Sequence, residues 1–235
     1  QKKMIPADDR ANAKVRTVDL ATETADDTLD LWKQQKTGTL PWVLVRFPQL
    51  TGITAPVIAG PLDQLGSQLF DSPSRKEVID RLGAGESAVW VFLESGDKAK
   101  DDSAVALIEK RLEYLMGVMT LPKLDEQDIV NGLVSVAEED LRLEFSLLRL
   151  SRDDPAEQSF VKMLLASERD LAALKEPMVF PIFGRGRALY ALVGAGIRQE
   201  TIEEAASFLI GKCSCQIKER NPGVDLLLSA DWETL

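Results

Sequence analysis

Short, almost continuous apolar runs recur along the chain, and they predict β-strands. The runs are rich in valine, phenylalanine and leucine, the composition expected of strands that are buried on both faces. Alanine 88 to leucine 93, AVWVFL, is the most apolar and predicts a central strand. The predicted strands cover residues 41–47, 88–93, 143–150, 178–183, 188–193 and, in the tail, 224–232.

Between these runs the apolar residues recur at helical spacing. Ser74 with Glu77, and Thr201 with Glu204, have the spacing of capping boxes at the start of a helix. The stretch 48–60 is rich in Pro, Gly and Thr and predicts a loop. The predicted helices cover residues 26–35, 62–70, 74–82, 103–119, 125–139, 155–174 and 201–218.

The order of elements in the second half repeats that of the first. A shift of 90 places aligns residues 86–96 with 176–186, and a shift of 94 places aligns 108–117 with 202–211. This pattern predicts a duplicated α/β unit. We expect an extended arm at 1–24, a degenerate first unit at 25–121 and a second unit with an extra C-terminal strand at 122–235. The alternative is that any two amphipathic helices and any two apolar strands look alike.

Composition excludes several classes of function. Twenty-eight Lys and Arg against 38 Asp and Glu give a net charge of −10, which argues against nucleic acid or an anionic membrane as the main partner. The chain has no histidine, so imidazole catalysis and histidine metal ligands are excluded. No apolar run approaches the roughly 20 residues of a transmembrane helix.

The location of the protein is an expectation from the first residue. The sequence begins with Gln1 rather than Met, as it would after removal of a leader. We therefore expect a bacterial protein outside the cytoplasm, either periplasmic or lipid-anchored. A truncated sequence and a cytoplasmic location are the alternatives.

The second half resembles a thioredoxin-like fold. Thioredoxins have a proline directly before the third strand, an apolar strand that ends in Phe, a tight glycine turn, a fourth strand, a corner and a final helix. The matching features here are Pro177, residues 178–183, the turn 184–187, residues 188–193, Gly194-Ala195 and the helix from Thr201. The resemblance implies two tandem thioredoxin-like units, each a mixed central sheet flanked by helices. It also implies a cis peptide bond before Pro177, beside a substrate groove.

The thioredoxin Cys-x-x-Cys motif is missing. Ser151, Arg152 and Asp153 occupy its expected position after the strand 143–150, and the loop 48–60 of the first unit also lacks cysteine. The resemblance therefore implies a non-catalytic protein without a cofactor that binds a protein or peptide partner. The implied groove residues are Ser151, Arg152, Asp153, Pro177 and Met178.

Cys213 and Cys215 support an alternative function in thiol redox chemistry or soft-metal binding. On a helix, residues two apart are rotated by roughly 200°, so the two sulfurs would point apart. Two thiolates alone also leave a tetrahedral zinc site incomplete. A core cysteine beside an incidental one is the simpler interpretation.

Three other features are weaker. Arg185 and Arg187, in the predicted turn, suggest an anion site, although exposed arginines are common at hairpin tips. Gly194-Ala195-Gly196 is interpreted as a corner rather than a dinucleotide-binding turn. Acidic pairs such as Asp101-Asp102 are interpreted as solvated helix caps.

A third hypothesis for function is assembly of several copies of the chain through exposed edge strands.

Overall fold

The computed structural model describes residues 12–22, 27–35, 38–122, 142–211 and 223–232, and these form a mixed α/β structure. The helices are α1 (Asp27–Gln34), α2 (Leu62–Leu65), α3 (Pro73–Gly83), α4 (Lys98–Val118), α5 (Gln158–Ala166) and α6 (Gln199–Ile210). The strands are β1 (Trp42–Val45), β2 (Ile58–Pro61), β3 (Ala88–Leu93), β4 (Phe145–Leu150), β5 (Met178–Phe183), β6 (Arg187–Ala188), β7 (Leu192–Val193) and β8 (Val224–Asp225).

The strands form a main sheet and a small hairpin. In the six-stranded main sheet the order is β4-β3-β5-β6-β8, and β7 also pairs with β5. Strand β3 is parallel to β4 and antiparallel to β5. Strands β1 and β2 form a separate antiparallel pair.

Strand β3 is the centre of the core, and all six of its residues are buried. Because alternate side chains of a strand point to opposite faces, β3 contributes to two apolar clusters. Val91 packs with residues of α3, α5 and the β1–β2 hairpin. Trp90 and Phe92 pack with residues of α4 and α6. The sheet is therefore covered on both faces, which confirms the prediction that 88–93 is a buried central strand.

The two halves of the chain do not each build a central sheet. Strand β3, from the predicted first unit, is hydrogen-bonded between β4 and β5, which belong to the predicted second unit. The prediction of one mixed sheet per unit is therefore wrong for the described residues. The similarity between 86–96 and 176–186 has a simpler physical cause, because β3 and β5 are neighbouring strands buried on both faces.

Helix α4 begins five residues before the predicted start. Its N-cap is Asp97, whose carboxylate accepts hydrogen bonds from the backbone N–H groups of Ala99 and Lys100, at 3.1 and 3.2 Å. An aspartate at this position satisfies amides that lack a partner within the helix. The predicted start was too late because residues 98–102 are mostly polar and do not contribute to the apolar stripe.

Neither predicted capping box begins its helix. Helix α3 has Ser72 as its N-cap and Pro73 as its first residue. Helix α6 begins at Gln199, and Thr201 Oγ1 accepts a hydrogen bond from the N–H of Arg198 at 3.3 Å. Glu77 instead pairs with Arg81, one turn later on α3. The predicted helix 125–139 lies outside the described residues.

Several strands and helices are shorter than predicted or were missed. The predicted loop 48–60 contains most of β2, which the pairing with β1 stabilises. The predicted strand 188–193 is interrupted between β6 and β7, and the predicted helix 155–174 contains α5 and a separate 3-10 turn at Leu171–Ala173. In the tail, β8 pairs with β6 but covers only two residues of the predicted strand 224–232, and burial alternates from Val224 to Ala230.

Gly223 is required where the tail meets the sheet. Its φ angle is +101°, and a β-carbon there would collide with the Ala188 carbonyl. Only a glycine combines that backbone conformation with so close an approach. The glycine therefore permits β8 to pair with β6.

The N-terminal arm contacts this tail through Asn12. The side-chain amide donates to the Leu226 carbonyl at 2.7 Å, and its oxygen accepts from the Leu228 N–H at 3.1 Å. Asn12 thus supplies the donor and acceptor that a neighbouring strand would offer. Most of the described arm, residues 12–22, is otherwise exposed.

Two arginines of α3 cover backbone groups at opposite ends of the sheet order. Arg81 Nη1 donates to the Leu147 carbonyl of β4 at 3.2 Å. Arg75 Nη1 donates to the Leu227 carbonyl, just beyond β8, at 3.3 Å. Charged side chains at such positions oppose the addition of another strand. Assembly through edge strands stays a prediction, but these two carbonyls already have partners.

Candidate functional site

The loops that follow β3 and β4 meet the segment that leads into β5 at one end of the main sheet. Leu93 lies beside Leu150 of β4 and beside Met178 of β5 in the strand register. The carboxyl ends of parallel strands are frequent positions for binding sites in α/β proteins. We call residues 94–102, 149–154 and 174–178 the sheet-end cluster.

Asp101 organises the turn between β3 and α4. Its side chain is buried, with a relative exposure of 2%. One carboxylate oxygen accepts hydrogen bonds from the N–H and the hydroxyl of Ser95, both at 2.8 Å, and the other accepts from the Gly96 N–H at 3.1 Å. Asp101 therefore binds the turn before α4, while Asp97 accepts from the Ala99 and Lys100 N–H groups in the first turn of the helix. The interpretation of Asp101 as a solvated cap is therefore wrong, although its neighbour Asp102 is more exposed.

Arg152 connects the three loops of the cluster. Its guanidinium donates to the carbonyls of Glu94 at 2.8 Å, Leu174 at 3.0 Å and Glu176 at 3.0 Å. Partial burial lowers the pKa of Arg152, against the opposing effect of Asp101 and Asp153. These bonds fix the backbone on both sides of the cluster.

The segment around Pro177 is buried and does not line an open groove. Pro177 and Met178 are both buried, and Arg152 holds the Glu176 carbonyl directly before the proline. The Glu176–Pro177 peptide bond is trans, so the prediction of a cis bond before Pro177 is wrong. Among the described residues, the cis bond joins Leu40 to Pro41. The chain enters β5 with its carbonyls already bound, since Pro177 O accepts from the Gly194 N–H at 2.8 Å.

A network of surface charges surrounds this closed segment. Arg149 donates to Glu94 at 2.6 and 2.9 Å and to Asp102 at 3.1 Å, and Lys98 also pairs with Asp102. The hydrogen bonds from Lys98 and Arg149 lower the pKa of Asp102, and those to Glu94 and Asp102 raise the pKa of Arg149. A separate pair joins Lys100 to both carboxylate oxygens of Glu176 at 3.1 Å.

We expect the Asp102 carboxyl group to titrate below the ordinary range of an aspartate. Because its pKa is lower in the folded chain than in the unfolded chain, its small contribution to stability is present at neutral pH and is lost as the pH falls through the folded pKa. Carbon-detected NMR titration of the wild type and of Arg149→Ala checks this, since the variant should bring the Asp102 pKa closer to its ordinary value. Lys33→Ala, in a distant surface pair, is the control. An identical Asp102 titration in wild type and Arg149→Ala would contradict the prediction.

The structure brings together all five residues predicted for the groove. Ser151 and Asp153 are exposed and adjacent, and the Ser151 hydroxyl accepts from the Asp153 N–H at 3.3 Å. Arg152 is half-buried, and Pro177 and Met178 are buried. Sequence reasoning missed Glu94, Asp101, Arg149 and Glu176. The signal for Asp101 was its position four residues after Asp97, at the first turn of the helix that follows a buried strand.

The other predicted sites are dispersed or already occupied. Arg187 donates to Asp225 at 2.8 Å and to the Gly223 carbonyl at 3.0 Å, whereas Arg185 is exposed. Gly194–Gly196 is a 3-10 turn that leads toward α6, as expected of a corner. Cys213 and Cys215 lie outside the described residues.

The described residues offer little for other types of site. No group of three or more metal-ligating side chains is found in the ranges that the structure covers. Nor does any helix there combine the length and apolarity that crossing a membrane requires. A cavity of about 320 Å³ lies at the start of α3, and Asp71 and Lys76 in its lining pair with each other at 2.9 Å.

Comparisons with protein-family models, curated proteins and solved structures found no match to this chain. Its function is therefore inferred from its own geometry.

Proposed function

We propose that the chain is a thioredoxin-like binding protein that engages a protein partner at the sheet-end cluster and carries out no thiol chemistry there. The strand order supports the fold. Strand β5 follows a proline, as the third thioredoxin strand does, and β3 and β4 then take the places of the first and second strands. Strands β6 and β7 share the place of the fourth, and α6 is the final helix. One such unit then extends from β3 to α6.

The hydrogen bonds at the start of α4 are the main support for a binding role without thiol chemistry. If β3 is the first strand, the position of Cys-x-x-Cys corresponds to the turn Ser95-Gly96-Asp97. A reactive thiol there would need helix amides to stabilise its thiolate. Asp97 and Asp101 already accept hydrogen bonds from the amides of this turn and helix start. The arrangement holds a fixed loop, contains no sulfur, and has carboxylates on four of the amides that a thiolate would use.

The surface of the cluster favours a protein partner over a small ligand. Arg152 closes the segment beside Pro177, so a partner would contact the exposed rim rather than enter a groove. That rim contains both charges, including Lys98, Lys100, Asp153 and Glu176. Mixed charges of this kind give orientation and specificity to protein association.

A thiol assay tests the absence of redox chemistry. In the presence of dithiothreitol, the chain should reduce insulin disulfides no faster than dithiothreitol alone, because the sheet end holds no cysteine. The double variant Cys213→Ser, Cys215→Ser should behave identically. A faster rate that disappears in the double variant would contradict the proposal and favour the thiol alternative.

Site-specific photocrosslinking tests the partner. A photoreactive amino acid at Asp153, on the exposed rim, should give one discrete protein adduct in cells that produce the chain. The same group at Ser207, exposed on α6, is the matched control and should give none. Adducts of equal yield from both positions, or no adduct from Asp153, would contradict the proposal.

A further inference from the structure

The main chain of β1 bonds to β2 through alternate residues. The Pro41 carbonyl, one residue before β1, accepts a hydrogen bond from the Leu62 N–H at 2.9 Å, and this bond sets the phase of the antiparallel ladder. Since the main-chain groups of such a strand alternate in direction, Val43 and Val45 face β2. The Val45 carbonyl accordingly accepts from the Val57 N–H at 2.9 Å. The other two residues of β1 turn their N–H and C=O groups toward its outer edge.

That outer edge consists of Trp42 and Leu44. No hydrogen bond in the described part of the chain reaches the main-chain N–H or C=O group of either residue. The outer edge of β2 differs, because its outward residues are Ala59 and Pro61, and a proline has no N–H to donate. The hairpin therefore has one edge that can receive another strand and one edge that a proline interrupts.

Both faces of β1 present apolar side chains beside the open edge. All four residues of the strand are half-buried. Val43 and Val45 pack against the core on one face. Trp42 and Leu44 lie on the other face, where the Trp42 ring meets Trp32 of α1 in an edge-to-face contact with centroids 5.9 Å apart. A strand that pairs with this edge must therefore be apolar on both faces.

We propose that β1 pairs antiparallel with β1 of a second copy of this chain, about a two-fold axis at Val43, to form a four-stranded sheet in the order β2-β1-β1-β2. In this register Trp42 of each copy lies opposite Leu44 of the other. The outward N–H and C=O groups of these residues then make four hydrogen bonds between the copies, and no group is left over. The two Val43 side chains meet at the axis, and the half-buried Trp42 and Leu44 cover each other.

The sequence of β1 and the second edge of the hairpin select a second copy as the occupant. The edge requires a strand that is apolar on both faces, and β1 itself, WVLV, is such a strand. Pro61 opposes further addition at β2, so the sheet closes at two copies, as a symmetric dimer does, and does not extend into a fibre. The pairing uses no residue of the sheet-end cluster and is independent of the proposed function.

Charge favours the same pairing. In a chain with a net charge of −10, residues 39–48 contain a single charged side chain, Arg46. Arg46 lies three residues from the proposed axis, so the antiparallel direction keeps the two copies of this arginine about 20 Å apart. No like charges therefore face each other across the shared edge.

Sedimentation velocity over a concentration series tests the dimer. The wild type should show a monomer–dimer equilibrium, and Leu44→Lys should raise the dimer Kd about tenfold or more, because each dimer loses two Trp–Leu pairs. Ala59→Lys is the matched control, since Ala59 is exposed on the same face, opposite Leu44, but one strand farther from the axis. It should change the Kd by less than about twofold. Leu44 is not part of either apolar cluster of the core, so both variants should keep a Tm close to that of the wild type.

Cysteine pairing tests the register. In a Cys213→Ser, Cys215→Ser background, Val43→Cys should form a disulfide-linked dimer under mild oxidation, because the β-carbons of directly opposite residues lie about 4.5–5.5 Å apart. Val45→Cys, on the same face of β1, is the control and should form none, since the same residue of the second copy would be about 14 Å away. A chain that stays monomeric at every concentration, a dimer that the two lysine variants weaken equally or not at all, or equal cross-linking of the two cysteine variants would overturn the proposal.

Discussion

Replacing Arg75 with alanine is expected to remove about 3–5 kcal/mol from the free energy of unfolding. Arg75 is completely buried, and its guanidinium binds the Ser72 hydroxyl and the carbonyls of Gln68, Leu69 and Leu227. The variant leaves those acceptors without their donor inside the protein. It also removes the charge that faces Glu157, which is 2% exposed. A loss of this size is a large part of the roughly 5–15 kcal/mol that stabilises a typical domain.

Urea unfolding of the wild type, Arg75→Ala and Arg75→Lys measures this effect. Burial lowers the pKa of Arg75 to about 10, against the opposing attraction of Glu157 and Asp71, so the guanidinium remains charged at neutral pH. Lysine keeps the charge but cannot bind four separated acceptors, and it should recover only part of the loss. Arg198→Ala, in an exposed ion pair, is the control. A loss below about 1 kcal/mol for Arg75→Ala, typical of a surface pair, would show that the network contributes little.

Replacing Asp101 with alanine is expected to lower the free energy of unfolding by about 2–4 kcal/mol, since a hydrogen bond to a charged group contributes roughly 1.5–3 kcal/mol net and bonds to one carboxylate do not add in full. The carboxylate receives three such bonds from Ser95 and Gly96. Its loss should therefore release the turn between β3 and α4. Asp101→Asn keeps acceptor capacity at one oxygen and should have the smaller effect.

Asp102→Ala is a closely matched control for Asp101→Ala. It changes the next residue of the same helix, but Asp102 lies in a surface network and should cause a much smaller loss. Urea unfolding gives the free energies, and hydrogen exchange at the amides of Ser95 and Gly96 shows whether the turn opens. Equal losses for the two variants, or unchanged exchange at both amides, would refute the assigned role of Asp101.

Burial was more predictable from this sequence than strand pairing. The apolar runs at β3 and β5 identified both central strands, because strands covered on two faces need apolar side chains at every position. The same requirement made the two strands look like copies of one element. Ile108 and Ile202 also align in the repeat, and both are fully buried on one face of the sheet. Composition records the environment of a segment but not its neighbour.

The site was predictable only where a residue type had a clear expected position. Ser151, Arg152 and Pro177 were named because the thioredoxin resemblance assigns a role to positions beside predicted strands. Asp101 was not, because an aspartate at the start of a helix has the same sequence signature whether water or a folded loop surrounds it. Its burial depends on the path of Ser95 and Gly96, which the pattern of apolar residues does not encode.

The position of β3 has a consequence for synthesis of the chain on the ribosome. Both hydrogen-bonding partners of Ala88–Leu93 are encoded far downstream, in β4 and β5. Until those segments emerge, the backbone N–H and C=O groups on both edges of this most apolar stretch lack their strand partners. It is therefore the segment that a chaperone would bind during translation. A product that stops near residue 121 would leave that stretch permanently bare and prone to aggregate.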